Sequence, residues 1–73
     1  MGKLSEKPIW WIIQVVRGVY SAHGPFYTKQ GMQNRFSQIR GGEVSEFYNP
    51  GCEDHSQAIR DFKFEKYVRK GVR

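Results

Sequence analysis

The residue types best suited to chemistry are Cys52 and His55, which form a Cys-x-x-His pair. A structural zinc site needs about four ligands, and beyond this pair only His23 and nearby carboxylates remain, without the spacing of a zinc motif. A thiol and an imidazole also have the composition of a nucleophile and its base, but that chemistry requires a formed pocket and an oxyanion site as well. Residues 49–57 have the polar composition of an exposed loop, so the sequence predicts no metal site there. A thiol or metal-dependent enzyme that uses Cys52 and His55 is the weakest of the three functional hypotheses considered for this chain.

Paired carboxylates and phosphate-binding loops are missing from the sequence. Glu43 and Glu46 lie three residues apart, and on a strand they point to opposite faces, which is unsuitable for a paired acid and base. Neither G-x-x-x-x-G-K-[ST] nor G-x-G-x-x-G occurs. The sequence therefore predicts a non-enzymatic protein without a cofactor, a metal ion or a small-molecule substrate.

Aromatic residues interleaved with basic residues are the pattern with the most functional content. On a sheet surface such residues stack single-stranded bases and neutralise phosphates. The signature of an RNA-recognition motif is absent, however, and most rings of a small domain belong to its core. A nucleic-acid-binding module is therefore the second hypothesis. The interleaved residues are Arg17, Tyr20, Phe26, Tyr27, Lys29, Phe47, Phe62, Lys63, Phe64, Lys66, Tyr67 and Arg69.

Length and charge limit the range of functions. The chain has 73 residues, 12 Lys+Arg and 7 Asp+Glu, for a formal net charge of +5. Such a chain forms one domain and buries only about 60% of its unfolded surface, so a binding partner would add useful stability. The charge favours an acidic partner, a protein or a nucleic acid, although it also suits plain solubility. The longest apolar run, residues 9–13, is too short to cross a bilayer, and a single cysteine indicates a reducing compartment.

The strongest strand pattern covers residues 9–20, which are rich in Ile, Val and Trp. Both faces of this strand are apolar, with Trp10 on one and Trp11 on the other. Either a helix and the C-terminal segment cover the two faces, or one indole is exposed as an interface anchor. Residues 21–25 contain Gly-Pro and predict a turn.

A helix is predicted over residues 29–40, because apolar residues recur there at helical spacing. Thr28 is its predicted N-cap, and Gly41-Gly42 is its predicted stop. Residues 43–48 then alternate as a short strand, which ends at the turn sequence Asn-Pro-Gly.

The C-terminal segment has two interpretations. Asp54 is a suitable cap for a helix, while Phe62, Phe64 and Val68 alternate with polar residues as in a strand. We predict a helical turn at 54–60 and a strand at 61–69. The expected fold is α+β, a small mostly antiparallel sheet with one amphipathic helix packed on it. Residues 1–8 are predicted to form a flexible basic arm, 9–69 a single domain and 70–73 a basic tail.

The layout of residues 9–48 resembles small regulatory proteins of bacterial phages. The resemblance lies in the strand WWIIQVVRG, the turn GPFYT, the amphipathic helix and the segment GEVSEF. Within that group, size and basic charge are similar to lytic-phage proteins that bind host RNA polymerase, inhibit initiation and act in antitermination. The resemblance implies a non-enzymatic transcription regulator in the cytoplasm of a bacterial host. Its partner would be the polymerase, and nucleic acid would be contacted directly or within the transcription complex.

Contact residues are predicted from charge and exposure alone. Trp10, Arg17 and Tyr20 are expected to form one apolar and basic patch, in which an aromatic side chain anchors the partner. Lys66, Arg69 and Lys70 are expected to supply charge that steers association.

Overall fold

A computed structural model describes the backbone of residues 7–71 and the side chains of residues 7–65. Five elements follow one another along the chain. They are β1 (Trp10–Val16), β2 (Val19–Phe26), α1 (Lys29–Phe36), β3 (Glu43–Tyr48) and α2 (His55–Gly71).

The three strands form one antiparallel sheet in the order β2-β1-β3, so β1 is the central strand. Its alternating side chains define the two faces. Trp11, Ile13 and Val15 lie on one face, and Trp10 and Ile12 lie on the other. The predicted α+β class and the antiparallel sheet are confirmed.

The prediction of one strand over residues 9–20 is wrong, because the chain reverses at Arg17 and Gly18. Val16 pairs with Val19 across this two-residue turn, and both turn residues have positive φ angles, 53° and 80°. Such turns match the twist of a hairpin and usually carry Asn-Gly or Asp-Gly. Here the turn dipeptide is Arg-Gly, which is uncommon in two-residue hairpin turns. The predicted turn at 21–25 is accordingly also wrong, since these residues belong to β2.

Helix α1 begins where the sequence predicts and ends earlier. The Thr28 hydroxyl oxygen accepts a hydrogen bond from the N–H of Gly31 at 3.1 Å, which confirms the N-cap. The helix ends at Phe36 rather than at residue 40, with Ser37 as its C-cap. The N–H groups of Gln38 and Ile39 bond three residues back, so tighter turns replace the last predicted helical turn.

Strand β3 has the predicted bounds, 43–48. Its register places Val44, Glu46 and Tyr48 beside Gln14, Ile12 and Trp10 of β1. Phe47 pairs with Trp11 on the opposite face and is buried. Phe47 is the buried residue of this strand, and its two neighbours in the chain, Glu46 and Tyr48, are exposed.

The C-terminal segment is one helix, so the strand predicted over 61–69 is wrong. The Asp54 carboxylate accepts a hydrogen bond from the N–H of Gln57 at 2.9 Å, which is the contact of an N-cap. Ala58 is fully buried, whereas Phe64 is 70% exposed. The alternation of Phe62 and Phe64 suggested a strand, but the two rings do not share a buried face.

Helices cover both faces of the sheet. Ala58 and Phe62 of α2 pack with Trp11 and its neighbours on one face, and α1 packs on the other, where Ile12 and Met32 are fully buried. The expectation of one packed helix is therefore corrected to two. This arrangement confirms the alternative in which a helix and the C-terminal segment each cover a face.

The proposed ends of the domain are only partly described. Residues 1–6 of the predicted arm and 72–73 of the predicted tail lie outside the described residues. The carbonyl of Lys7 accepts a hydrogen bond from the N–H of Gly51 at 2.9 Å, and residues 70–71 belong to α2.

Candidate partner-binding surface

Trp10 and Tyr48 form an aromatic pair on the α1 side of the sheet. They are cross-strand neighbours in β1 and β3, and their ring centroids lie 4.3 Å apart at an interplanar angle of 44°. Trp10 is half-buried and Tyr48 is 49% exposed. The Nζ atom of Lys29 lies 5.7 Å from the centroid of the Trp10 ring, within the range of a cation–π contact. We call Trp10, Lys29 and Tyr48 the Trp10 patch.

Local structure places Lys29 beside the indole. Phe26, near the end of β2, pairs with Trp10, and Thr28 caps α1 two residues later. Lys29 is the first residue of that helix. The end of one strand and the start of a helix therefore bring a cation onto an aromatic ring.

A second exposed area lies at the turn between β1 and β2. Val16 and Val19 form a cross-strand pair there and are 40% and 64% exposed. Arg17, the first of the two turn residues, is exposed. We call the segment Val16–Val19 the hairpin tip.

Tyr20 lies on the opposite face of the sheet from Trp10. It pairs with Val15 and packs against Phe62 of α2, with ring centroids 6.4 Å apart. The Nζ atom of Lys63 lies 4.5 Å from the centroid of the Tyr20 ring. The Tyr20 ring is therefore part of the contact between β2 and α2, with a cation on its exposed side.

The structure does not bring Trp10, Arg17 and Tyr20 together into the predicted patch. Trp10 stands at the start of β1 and Arg17 follows its end, which is about 20 Å away for a strand of this length. The turn at Arg17 also reverses the chain, so Tyr20 emerges on the other face. Arg17 and Tyr20 remain neighbours at one end of the sheet.

Lys66, Arg69 and Lys70 lie in the last turns of α2. Their side chains are outside the described residues, so their predicted steering role stays a prediction.

Electrostatics favour contact with an acidic partner. Among the side chains that the structure describes, one ion pair forms, between Lys7 and Glu53 at 3.8 Å. Six other cations have no carboxylate within 4 Å among the side chains of residues 7–65. They are Arg17, Lys29, Arg35, Arg40, Arg60 and Lys63. Cations whose charge is not balanced by a neighbouring carboxylate attract and orient an oppositely charged surface.

Cys52 and His55 both contact the buried Trp11 side chain. Cys52 is buried, its backbone carbonyl accepts a hydrogen bond from the Trp11 indole at 3.0 Å, and its Sγ lies 3.6 Å from the carbonyl oxygen of Asp54. The His55 ring meets the Trp11 ring edge-on at 5.0 Å. The interpretation of 49–57 as an exposed loop is therefore wrong at Cys52. Within residues 7–65, no three His, Cys, Asp or Glu side chains group as metal ligands.

Tyr27 has a shifted pKa, which its contact with Glu53 explains. Its hydroxyl donates a hydrogen bond to a Glu53 carboxylate oxygen at 2.9 Å, and Lys7 contacts the same carboxylate oxygen. The pKa of Tyr27 is raised above 10.0, first because its proton is held in this hydrogen bond, and further by desolvation and by the Glu53 charge. The contact ties the start of α1 to the loop before α2.

The sequence analysis did not place Lys29 and Tyr48 in the Trp10 patch. Tyr48 was expected on β3, but its pairing with Trp10 depends on β3 lying next to β1 in the sheet. Thr28 correctly fixed the start of α1, but nothing in the sequence placed that start beside Trp10. Both omissions concern pairings between distant segments, which local patterns do not specify.

Comparison with known proteins adds no relative: no family model, curated protein or solved structure matches this chain. None of the helices in the described part of the chain is long and apolar enough to span a membrane.

Proposed function

We propose that this chain is a non-enzymatic regulator that binds the RNA polymerase of a bacterial host, in the host cytoplasm, and inhibits initiation or promotes antitermination. The observation that carries the binding role is the Trp10 patch, a half-buried tryptophan beside an exposed tyrosine, with a lysine over the indole. Tryptophan and tyrosine side chains are enriched among the residues that dominate the energetics of protein interfaces.

The proposed identity of the partner rests on the resemblance of residues 9–48 to small phage regulatory proteins. A large acidic assembly suits the six cations that have no carboxylate partner among the described side chains. The buried position of Cys52 supports the non-enzymatic part of the proposal, because a thiol held in the core is poorly placed to attack a substrate.

Binding to purified bacterial RNA polymerases is the direct test. The wild-type protein is expected to bind and to reduce promoter-dependent transcription. Tyr48→Ala is expected to weaken binding by about tenfold or more, mainly through faster dissociation, as for an interface anchor. Phe64→Ala is the matched control, since Phe64 is an exposed aromatic on α2, away from the patch. Lys70→Glu is expected to lower the association rate instead.

Thermal unfolding of each variant separates lost contacts from lost structure. No binding by the wild type to polymerases from several bacterial groups would refute the proposal. Equal effects of Tyr48→Ala and Phe64→Ala would remove the Trp10 patch from it.

Nucleic-acid binding is the second candidate. It is favoured by the same unpaired cations and by two lysines over aromatic rings, Lys29 on Trp10 and Lys63 on Tyr20. Fluorescence anisotropy with single- and double-stranded oligonucleotides tests it, and the affinity is expected to fall steeply as salt rises. Lack of binding at low salt would exclude direct contact.

A further inference from the structure

We propose that the free edge of β3 binds an extended, basic segment of a partner protein as a fourth strand of the sheet. The site is the outer row of backbone groups on Val44, Glu46 and Tyr48, with the Glu46 carboxylate in the middle. Such a segment differs in charge from the acidic partner of the proposed function. The site can therefore exist whether or not this chain binds polymerase.

The register of β1 and β3 determines which backbone groups of β3 point outward. In an antiparallel pair, hydrogen-bonded and non-hydrogen-bonded residue pairs alternate along the strands. The N–H of Asn49 donates to the carbonyl of Ile9 at 2.9 Å, so every second residue before Asn49 bonds to β1. The N–H and carbonyl groups of Val44, Glu46 and Tyr48 therefore face away from β1. None of these groups has a hydrogen-bond partner among the described residues.

The two edges of the sheet differ in how well they can accept another strand. The other edge strand, β2, contains Pro25, which has no N–H, and its register with β1 shifts between Trp10 and Ile12. Strand β3 contains no proline, glycine or lysine, and its register with β1 is regular over all six residues. The helices pack chiefly against β1 and β2. The edge of β3 is therefore the one suited to strand addition.

The position of Glu46 argues against a second copy of this chain as the occupant. In a symmetric antiparallel pair, residues opposite each other share a face. The register that bonds all three outward residues then places the two copies of Glu46 opposite each other, and like charges in that position destabilise a sheet. Glu46 is exposed and has no cation within 4 Å among the described side chains. A lysine or arginine on a different chain would supply that cation.

The neighbours of Glu46 on the same face extend the recognition pattern. Val44 is half-buried, and Tyr48 is 49% exposed beside Trp10. Because alternate residues of an added strand share a face, apolar or aromatic residues beside Val44 and Tyr48 would flank the basic residue. The expected segment is apolar-x-basic-x-apolar. A nucleic acid has neither the alternating backbone groups nor the cation, and Glu46 would repel its phosphates.

Strand β3 is fixed at both ends, which lowers the entropy lost when a strand is added. Before β3, the Gln14 side-chain amide donates to the carbonyls of Arg40 and Gly41, both at 3.0 Å. After β3, the Asn49 side-chain amide donates to the Asp61 carboxylate at 2.9 Å. The edge is therefore already extended before a partner binds.

NMR titration of the isotopically labelled protein with a blocked seven-residue peptide tests the proposal. The probe is Thr-Tyr-Thr-Lys-Thr-Val-Thr, whose Tyr, Lys and Val would lie beside Tyr48, Glu46 and Val44 in the antiparallel orientation. At millimolar peptide, the amide signals of these three residues are expected to shift, and their exchange with solvent is expected to slow. The amides of Ser45 and Phe47, which already bond to β1, are the internal control and are expected to change less.

Two changes to the probe separate backbone pairing from charge attraction. Replacing its Lys by Glu is expected to weaken binding about fivefold. Methylating the backbone nitrogen of that Lys keeps the charge but removes a strand hydrogen bond, and is expected to abolish the shifts. In the protein, Glu46→Lys is expected to reverse the preference, so that the Glu peptide binds better. Glu65→Lys is the matched control, because Glu65 is an exposed carboxylate on α2, and it is expected to keep the preference for the Lys peptide.

Several results would overturn strand addition by a basic segment. They are a lack of shifts at the outward amides, an unchanged preference in Glu46→Lys, and equal binding of the methylated peptide. Protection of the same amides in a dimer of the free protein, or their shift with an oligonucleotide, would assign the edge to another occupant and overturn it too. None of these results depends on polymerase, so failure here leaves the proposed function standing, and failure of polymerase binding leaves the edge site standing.

Discussion

Gly18 and Gly42 both have positive φ angles, 80° and 64°, but their surroundings differ. A Cβ on Gly18 would meet nothing within 4 Å, whereas a Cβ on Gly42 would overlap the Val15 carbonyl and a Val16 methyl. Gly18→Ala is therefore expected to cost about 1 kcal/mol, the backbone term alone. Gly42→Ala is expected to cost at least about 2 kcal/mol more, because backbone atoms must move. Chemical denaturation of both variants measures the difference, and equal losses would show that the Val15 and Val16 atoms around Gly42 move aside at little cost.

The Tyr27–Glu53 contact predicts a pH effect at the alkaline end. Because the folded-state pKa of Tyr27 is raised, the folded protein holds the phenolic proton more tightly than the unfolded chain does. Its stabilising contribution is complete below the ordinary pKa of about 10 and is lost as pH rises through the folded-state value. Glu53→Ala is expected to lower the Tyr27 pKa in an NMR titration. Glu46→Ala, at an exposed carboxylate on β3, is the control, and an unchanged Tyr27 pKa in Glu53→Ala would contradict the assignment.

At the scale of elements, the sequence predicted those whose signals are local. Thr28 set the start of α1, and a short strand pattern before Asn-Pro-Gly set β3. The hairpin between β1 and β2 was missed because Arg17 replaces the usual Asn or Asp of its turn. The single-strand interpretation then placed Tyr20 on the same face as Trp10, and the predicted contact patch inherited that error.

The later part of helix α2 was missed for a different reason, whereas the helical turn predicted at 54–60, with Asp54 as its cap, corresponds to the start of the observed helix. Assigning a helix or a strand from the spacing of apolar residues treats every apolar residue as buried. Phe64 is 70% exposed, so including it created a false alternation with Phe62. Without Phe64, the buried Ala58 and the packed Phe62 are four residues apart, which is the spacing of one helix face. The exposed aromatic was the source of the error.

The cap of α2 gives an element-scale prediction. Asp54→Ala removes the acceptor for the N–H of Gln57 and is expected to reduce the free energy of unfolding by about 1 kcal/mol. Asp54→Ser keeps an acceptor at the same place and is expected to lose much less. Chemical denaturation with far-ultraviolet circular dichroism gives both values. Similar losses in the two variants would indicate that Asp54 acts through something other than the cap.

At the scale of the whole molecule, the second helix changes the balance between core and surface. One helix would leave a face of the sheet uncovered, with its apolar side chains as one continuous binding surface. With α2 in place, Ile9, Trp11 and Ile13 are fully buried. Apart from Tyr27 before α1 and Phe64 on α2, the large exposed apolar side chains of the described residues lie at the two ends of β1, and α1 covers Ile12 between them. On this face of the sheet, a partner therefore meets two separate contact areas, the Trp10 patch and the hairpin tip.

The charge distribution predicts opposite effects of salt on stability and on association. The chain carries a net charge of +5, and its described side chains form a single ion pair, between exposed Lys7 and Glu53. Screening therefore relieves more repulsion than attraction within the fold, and sodium chloride at about 0.15 M should stabilise it by less than about 1 kcal/mol relative to low salt. The same screening should slow association with an acidic partner. Thermal unfolding and stopped-flow binding at matched salt concentrations measure the two effects. A lower unfolding temperature with added salt would mean that attractive charge contacts outweigh repulsion in the folded protein. The cations without a described carboxylate partner would then already be engaged within the fold, which would contradict their role in steering a partner.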